Sequence, residues 1–197
     1  MFTGLVEETG RVVSVENAGE GKRIELTADQ TCEDSEIGDS ISVSGACLTV
    51  EEFTEAGAEI FLAEETLDRT WFSGLEEGNK VNLEQSLTPQ DRMGGHYVQG
   101  HVDDISEVNG IEELEEGWNF HFSMPEEFKH YIVEKGFITV EGISLTVTEI
   151  DEEGFWITVI PETWEKTNLS EKSIGDLVNV EIDVMAKYAE KISRYQK

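Results

Sequence analysis

Cysteine, histidine and positive charge are scarce in this chain, and long apolar runs are missing. Two cysteines, Cys32 and Cys47, make neither a disulfide framework nor a metal cluster, and cytosolic free thiols are the default. Four histidines, His96, His101, His121 and His130, show no ligand spacing with cysteine or acid, and no Glu stands beside a His pair on a helix. No metal is therefore expected. Gly94-Gly95 and Gly19-Glu20-Gly21 are too isolated to form a phosphate loop. No run is long enough to span a bilayer, so no membrane contact is expected. The start, Met1-Phe2-Thr3-Gly4, has neither a basic segment nor an apolar signal core, which fits a cytoplasmic protein. Only 14 basic side chains face 43 acidic ones, for a net charge of −29. Nucleic acid would be repelled, because binding it needs a basic face. The acidic excess is either an ordinary solvated surface or an adaptation to high salt, where screening shortens self-repulsion; the second is preferred. Apolar alternation persists through the acidic stretches, which argues against disorder.

What the chain does have is a repeat. Gly45-Ala46-Cys47-Leu48-Thr49-Val50 returns as Gly142-Ile143-Ser144-Leu145-Thr146-Val147, an offset of 97 residues. The flanks return with it, Ile41 and Val43 as Ile138 and Val140. Successive side chains of a strand point to opposite faces. Cys47 and Thr49 therefore share one face, and Ser144 and Thr146 take the same two places in the second copy. Two matched pairs of small hydrogen-bonding groups are the main clue to function. Each half holds about 95 residues, enough to bury its own core.

Three other segments repeat, the first at an offset of 96 residues and the other two at 97. Phe2 to Glu8 overlays Val98 to Asp104, Glu64 to Thr70 overlays Pro161 to Thr167, and Gly78 to Glu84 overlays Gly175 to Glu181. In the first half, strands are expected over Arg11–Val15, Lys22–Thr27, Ser40–Glu51, Ala58–Ala63 and Lys80–Glu84. About six short strands with close turns predict a small antiparallel barrel or sandwich. Ser86 to Gly95, with Thr88-Pro89 and Gly94-Gly95, is the linker. In the second half Pro125–Val133 suggests a short helix or turn, and Gly136–Ile150 is the second organising strand. Domains are expected at 1–93 and 94–184, with a helix over 185–197. Met185, Tyr188, Ile192 and Tyr195 form an a/d stripe within Val184–Gln196. A helix this short must pack on something. Its own barrel and the same helix of neighbouring subunits are both open partners.

The chemistry-bearing residues are few. A lone histidine is more often a structural hydrogen-bonder than a catalyst. His101, however, replaces the apolar Leu5 of the first half, so the halves differ there. Cys47 is a possible nucleophile, but its repeat partner is Ser144, and a shared ligand-binding role suits both better than thiolate chemistry. A buried small residue is the plain alternative. Duplication gives a symmetric pair of sites, which suits a reaction using two copies of one substrate, although many duplicated barrels do no chemistry.

Six ordered motifs carry a resemblance across nearly the whole chain. They are Met1-Phe2-Thr3-Gly4-Leu5-Val6-Glu7, Gly45 to Val50, Gly94-Gly95-His96-Tyr97-Val98-Gln99-Gly100-His101-Val102-Asp103, Lys135-Gly136-Phe137-Ile138, Gly142 to Val147, and Ile160-Pro161-Glu162-Thr163. Together they resemble the riboflavin synthase α-chain family. The resemblance implies an all-β fold of two tandem six-stranded antiparallel barrels with a C-terminal helix. It also implies a homotrimer held through those helices, with sites between the first barrel of one subunit and the second barrel of the next. The implied reaction is a dismutation of two 6,7-dimethyl-8-ribityllumazine molecules to riboflavin and 5-amino-6-ribitylaminouracil, without cofactor or metal.

The resemblance also implies site residues. One lumazine is expected against Gly4, Leu5, Val6, Ser40, Cys47, Leu48, Thr49, Phe61, Leu62, Ala63, Glu64, Glu65 and Thr66. The other is expected against Gly100, His101, Val102, Lys135, Ser144, Leu145, Thr146, Val159, Ile160, Pro161, Glu162, Thr163 and Trp164. Proton transfer needs a group near neutral pKa, and His101 is the nearby candidate by residue type. Ser144 and Thr146 would relay protons or hold the anionic ring, while Cys47 and Ser40 would orient the acceptor. Two departures stand out: Trp71-Phe72-Ser73 follows Thr70 where Asn168-Leu169 follows Thr167, and Ala63-Glu64 replaces bulkier or basic residues. A non-catalytic lumazine- or flavin-binding protein on the same fold is the alternative. In that reading one half loses its binding residues, whereas here both keep their polar pair.

Overall fold

A computed structural model describes residues 1–33 and 35–195. Among those residues, strands close into two six-stranded antiparallel barrels. The first holds β1 (Glu8–Ala18), β2 (Gly21–Thr27), β3 (Ser40–Val43), β4 (Ala46–Phe53), β5 (Gly57–Leu62) and β6 (Lys80–Gln85), ordered β1-β2-β5-β4-β3-β6. The second holds β7 (Asp104–Leu114), β8 (Gly117–Ser123), β9 (Phe137–Val140), β10 (Ile143–Ile150), β11 (Gly154–Val159) and β12 (Leu177–Ile182) in the equivalent order. Closure removes sheet edges that would otherwise invite aggregation. Bulges fall at matching places, after Val12 and Val50 in one barrel and after Val108 and Val147 in the other. They supply the extra bend that a small barrel needs.

Alternation decides which side chains fill each barrel. On β4, Ala46, Leu48 and Val50 are buried, Cys47 is half-buried and Thr49 is exposed. On β10, Ile143, Leu145 and Val147 are buried, Ser144 is half-buried and Thr146 is exposed. Each barrel has its own apolar cluster.

The single strands expected over Ser40–Glu51 and Gly136–Ile150 are corrected: each is a tight hairpin. Val43 pairs with Ala46, and Val140 with Ile143. The two-residue turns are Ser44-Gly45, with φ of 41° and 88°, and Glu141-Gly142, with φ of 52° and 78°. Paired positive φ angles match the twist of the flanking strands. The turns are hard to see in sequence because each is a single polar residue and a glycine inside a strand-like run, with no wider polar cluster, and all four residues are buried. They are buried against each other. A Cβ on Gly45 would lie 2.9 Å from the backbone nitrogen of Gly142, and one on Gly142 would lie 2.7 Å from that of Gly45.

Short helices border the barrels: α1 (Gln30–Glu33), α2 (Glu64–Arg69) and α3 (Pro161–Lys166). The segment expected as a helix or turn after Pro125 is a 3-10 helix, Glu126–Tyr131. The last helix, α4 (Val184–Arg194), is capped by Asp183, whose carboxylate accepts from the Met185 N–H at 2.9 Å. The expected helix end at Gln196 lies outside the described residues. Polar side chains dock α4 on the second barrel, through Lys187 to Asp103 at 2.6 Å and through the Tyr131 hydroxyl to Glu190. Its apolar stripe faces away: Met185, Tyr188, Ile192 and Tyr195 are 60, 59, 59 and 81% exposed. Among the described residues no helix is long and apolar enough to cross a membrane.

Candidate active site

The segment leading into each barrel crosses to the other one. Phe2–Val6 leads into β1, yet the Gly4 carbonyl accepts from the Ser144 N–H on β10 at 2.8 Å. Val98–Asp103 leads into β7, yet the Gly100 carbonyl accepts from the Cys47 N–H on β4 at 2.8 Å. Where they cross, Phe2 and Val98 exchange backbone hydrogen bonds of 2.8 and 3.2 Å. Both approaches need glycine. Gly4 and Gly100 share a φ of +78°, and a Cβ on either would lie 2.6 Å from the Cβ of Ser144 or Cys47.

A buried carboxylate holds each crossing segment. Glu84 on β6 accepts from the Thr3 N–H at 2.7 Å, the Thr3 hydroxyl at 2.9 Å and the Gly4 N–H at 3.0 Å. Glu181 on β12 accepts from the N–H groups of Gln99, Gly100 and His101 at 2.7, 2.8 and 2.9 Å. Burial raises both carboxyls above the usual glutamate range, and the donors oppose that shift.

Two clefts result, and their parts match. The first, of ≈ 430 Å³, gathers Cys47, Glu65, Thr66 and Arg69 with Gly100, His101 and Val102. The second, of ≈ 370 Å³, gathers Ser144, Glu162, Thr163 and Lys166 with Gly4, Leu5 and Val6. Each offers a small hydrogen-bonding group, a threonine hydroxyl, a carboxylate, a cation and an apolar wall. This corrects the expected grouping. Gly4-Leu5-Val6 stand with Ser144 and Thr163, and Gly100-His101-Val102 stand with Cys47 and Thr66. The physical reason is the crossing itself, which puts each leading segment on the opposite barrel.

One imidazole distinguishes the clefts. His96 is buried, with Nδ1 2.7 Å from Ser144 Oγ and Nε2 3.2 Å from Thr139 Oγ1. Its ring stacks on Phe137 at a centroid distance of 5.0 Å. Desolvation lowers its pKa, against a smaller opposing pull from Asp183, so the ring is neutral at pH 7 and able to accept a proton. His101, expected beside Ser144, instead presents an exposed ring to the Cys47 cleft. Sequence reasoning passed over His96, whose one signal is its place directly after Gly94-Gly95. It also missed Arg69 and Lys166, which the 97-residue offset pairs.

The other expected residues are distributed unevenly. Ala63 lines the first cleft. Leu48, Leu62, Leu145 and Val159 are core. Ser40 pairs with Thr49 in the β3–β4 ladder, and Thr49 and Thr146 are exposed on the strands' other face. Phe61 is half-buried, while Glu64, Ile160 and Pro161 are exposed. Trp164 stacks on Trp118 at 4.0 Å, and Lys135 donates to the Thr148 carbonyl at 3.2 Å.

Between the clefts the barrels are tied by a polar knot with approximate twofold symmetry. The Asn82 amide donates to the Glu141 carbonyl at 2.8 Å, and the Asn179 amide to the Ser44 carbonyl at 2.9 Å. In return, Asn82 accepts from the Asn168 N–H at 2.7 Å and Asn179 from the Trp71 N–H at 3.1 Å. Trp71 thus keeps the backbone role of Asn168, and both side chains donate to the fully buried Glu141 carboxylate, the Trp71 indole N–H to one oxygen at 2.7 Å and the Asn168 amide to the other.

The comparisons with known proteins agree with this duplicated plan. The lumazine binding domain matches twice, over residues 3–86 and 99–183. Riboflavin synthase of Bacillus subtilis is 40% identical over 188 residues, covering 95% of this chain and 87% of that one. Riboflavin synthase of Schizosaccharomyces pombe is 41% identical over 194 residues, covering 98% and 93%. Riboflavin synthase of Brucella abortus is 39% identical, with 100% of both chains covered. Among solved structures, LumP complexed with riboflavin superposes with a TM-score of 0.87 at 26% identity, covering 92% of this chain and 99% of that one. LumP complexed with 6,7-dimethyl-8-(1'-D-ribityl) lumazine gives 0.84 at the same identity and coverage. With two lumazine-binding repeats and full-length likeness at these identities, this chain belongs to the riboflavin synthase family.

Proposed function

We propose that the chain converts two 6,7-dimethyl-8-ribityllumazine molecules into riboflavin and 5-amino-6-ribitylaminouracil by transfer of a four-carbon unit. The observation that carries this reading is the pair of part-matched clefts, one of them lined by Ser144, whose hydroxyl is bonded to the buried His96. Two copies of one substrate supply every atom of both products, so the balance calls for no outside oxidant or reductant.

One bound ring loses a proton from its 7-methyl group, and the resulting anion attacks the other. Neutral His96 stands ready to take that proton through the Ser144 hydroxyl. Cys47 and His101 orient the partner ring in the first cleft, and Thr66 and Thr163 cap the two ligands. Holding both rings in place turns a second-order encounter into a positioned one, with effective molarities of about 10⁵–10⁸ M for well-oriented pairs. The outward apolar stripe of α4 supports a homotrimer in which the first cleft of one chain meets the second cleft of the next.

The test is to mix the protein with 6,7-dimethyl-8-ribityllumazine alone and follow riboflavin by chromatography. One riboflavin per two lumazines consumed is expected. Tight binding without product would instead favour a lumazine- or flavin-binding protein, a reading supported by the likeness to ligand-bound LumP. Light scattering should give three times the 22.1 kDa chain mass, and a monomer would remove the trimer.

A further inference from the structure

We propose that Glu84 and Glu181 are positioning residues that act crosswise. Glu84, on the first barrel, sets the wall of the second barrel's cleft, and Glu181, on the second barrel, sets that of the first. The inference rests on the ligand-binding reading above and adds which residues control each site.

The geometry is a clamp with two jaws. Gly4 gives its N–H to Glu84 and its carbonyl to Ser144, and Gly100 gives its N–H to Glu181 and its carbonyl to Cys47. Each glycine is therefore held by its own barrel from behind and by the opposite barrel in front. The wall residues come next in the chain: Leu5 and Val6 after Gly4, and His101 and Val102 after Gly100. Neither carboxylate lines either of these two clefts; Glu84 borders a separate hollow on the other side of Leu5 and Val6, and the two are only 4 and 2% exposed. Burying a carboxylate on a barrel strand is costly unless it is well paired. Here all the hydrogen bonds that offset the cost come from the crossing segments. An ionised carboxylate accepts only, and every partner is an N–H or O–H donor. Glutamine at either place would turn an NH2 group against those donors while keeping size and shape.

Hydrogen exchange read by mass spectrometry, with and without riboflavin, tests the crosswise assignment. In Glu84→Gln the amides of residues 3–6 should exchange about tenfold faster or more, in line with loss of charge-assisted bonds. Riboflavin protection should then fall over 161–167 and persist over 64–70. Glu181→Gln should do the reverse, loosening 99–102 and losing protection over 64–70 alone. Thr3→Val removes one donor to Glu84 and leaves the carboxylate in place, so it should give a weaker version of the Glu84→Gln pattern. If Glu84→Gln fails to fold, Thr3→Val decides that arm. Loss of protection on the variant's own barrel, equal loss over both clefts, or unchanged protection would overturn the inference. Wild-type chain that forms riboflavin while its variants behave in one of those ways sinks the inference alone. Wild-type chain that neither binds riboflavin nor turns over lumazine sinks the functional reading and the inference together.

Discussion

Where the first barrel is filled by Ile24, Leu26 and Ala58, the second is filled by Phe120, Phe122 and Phe155. The positions correspond: Ile24 faces Ile60 across β2–β5, as Phe120 faces Ile157 across β8–β11. In the second barrel Phe120 stacks on Phe122 with centroids 5.7 Å apart, and Phe155 packs tilted against Phe122 at 5.5 Å. Register, hairpin turns and bulges are the same in both. The fold thus depends on which positions are apolar, and the filling volume is free to vary with its neighbours. The clefts teach the converse lesson. Their framework repeats, in Gly4 and Gly100 or Glu84 and Glu181, while the chemistry diverges at His96, which has no counterpart in the first half.

The sharpest way to break that contrast is at the imidazole. His96→Ala should lower kcat for riboflavin formation by about 10²–10⁴-fold, the usual range for a general base. Cys47→Ser, which makes the first cleft copy the second, should cost less than about tenfold. Equal losses in the two variants would remove the asymmetry of the clefts. Packing comes next. Phe155→Ala should destabilise the chain by about 3–5 kcal/mol in denaturant unfolding, and Ile60→Val by about 0.5–1.5 kcal/mol.

A smaller effect is expected with pH. The lowered His96 pKa keeps the ring neutral in the folded state as pH falls through the ordinary 6.5. The stability it contributes is complete above that value and is lost as pH falls through the depressed folded value. The acid limb of kcat/KM should therefore lie below pH 6.5, and a limb at or above it would contradict the buried, neutral ring. Charge, last, is where the halves agree: residues 1–93 carry 21 acidic and 6 basic side chains, and residues 94–197 carry 22 and 8. Raising salt shortens the screening length from about 10 Å at 0.1 M to about 3 Å at 1 M. Melting temperature should rise by several degrees, with both barrels moving together. An unchanged melting temperature would leave the acidity as surface only.

Much of this was legible because a strand's period is two and the repeat shows the pattern twice. Cys47/Thr49 and Ser144/Thr146 land on the side of β4 and β10 that alternation assigns them. The hairpin turns are hidden because Ser44-Gly45 and Glu141-Gly142 are single dipeptides inside strand-like runs and are buried against each other. The grouping of site residues was hidden for a different reason. Sequence order placed Gly4-Leu5-Val6 with the barrel that follows, and only the Phe2–Val98 crossing shows that they serve the other. Glu84 and Glu181 looked like ordinary acids among 43, since alternation does not say what a buried carboxylate is bonded to.

That crossing has a consequence for how such a chain can be cut. Each half leaves one wall of its cleft in the keeping of the other, so the halves stand to each other as two subunits of a swapped dimer joined by a linker. Residues 1–86 alone would hold the Cys47 cleft without Gly100-His101-Val102, and would carry a leading segment with nowhere to dock. The natural repair is a second copy of the same half, each lending Phe2–Val6 to its twin. Duplication then converts a concentration-dependent assembly into an intramolecular one. It also frees each half to change alone, which is how one cleft can carry His96 while the other does without it.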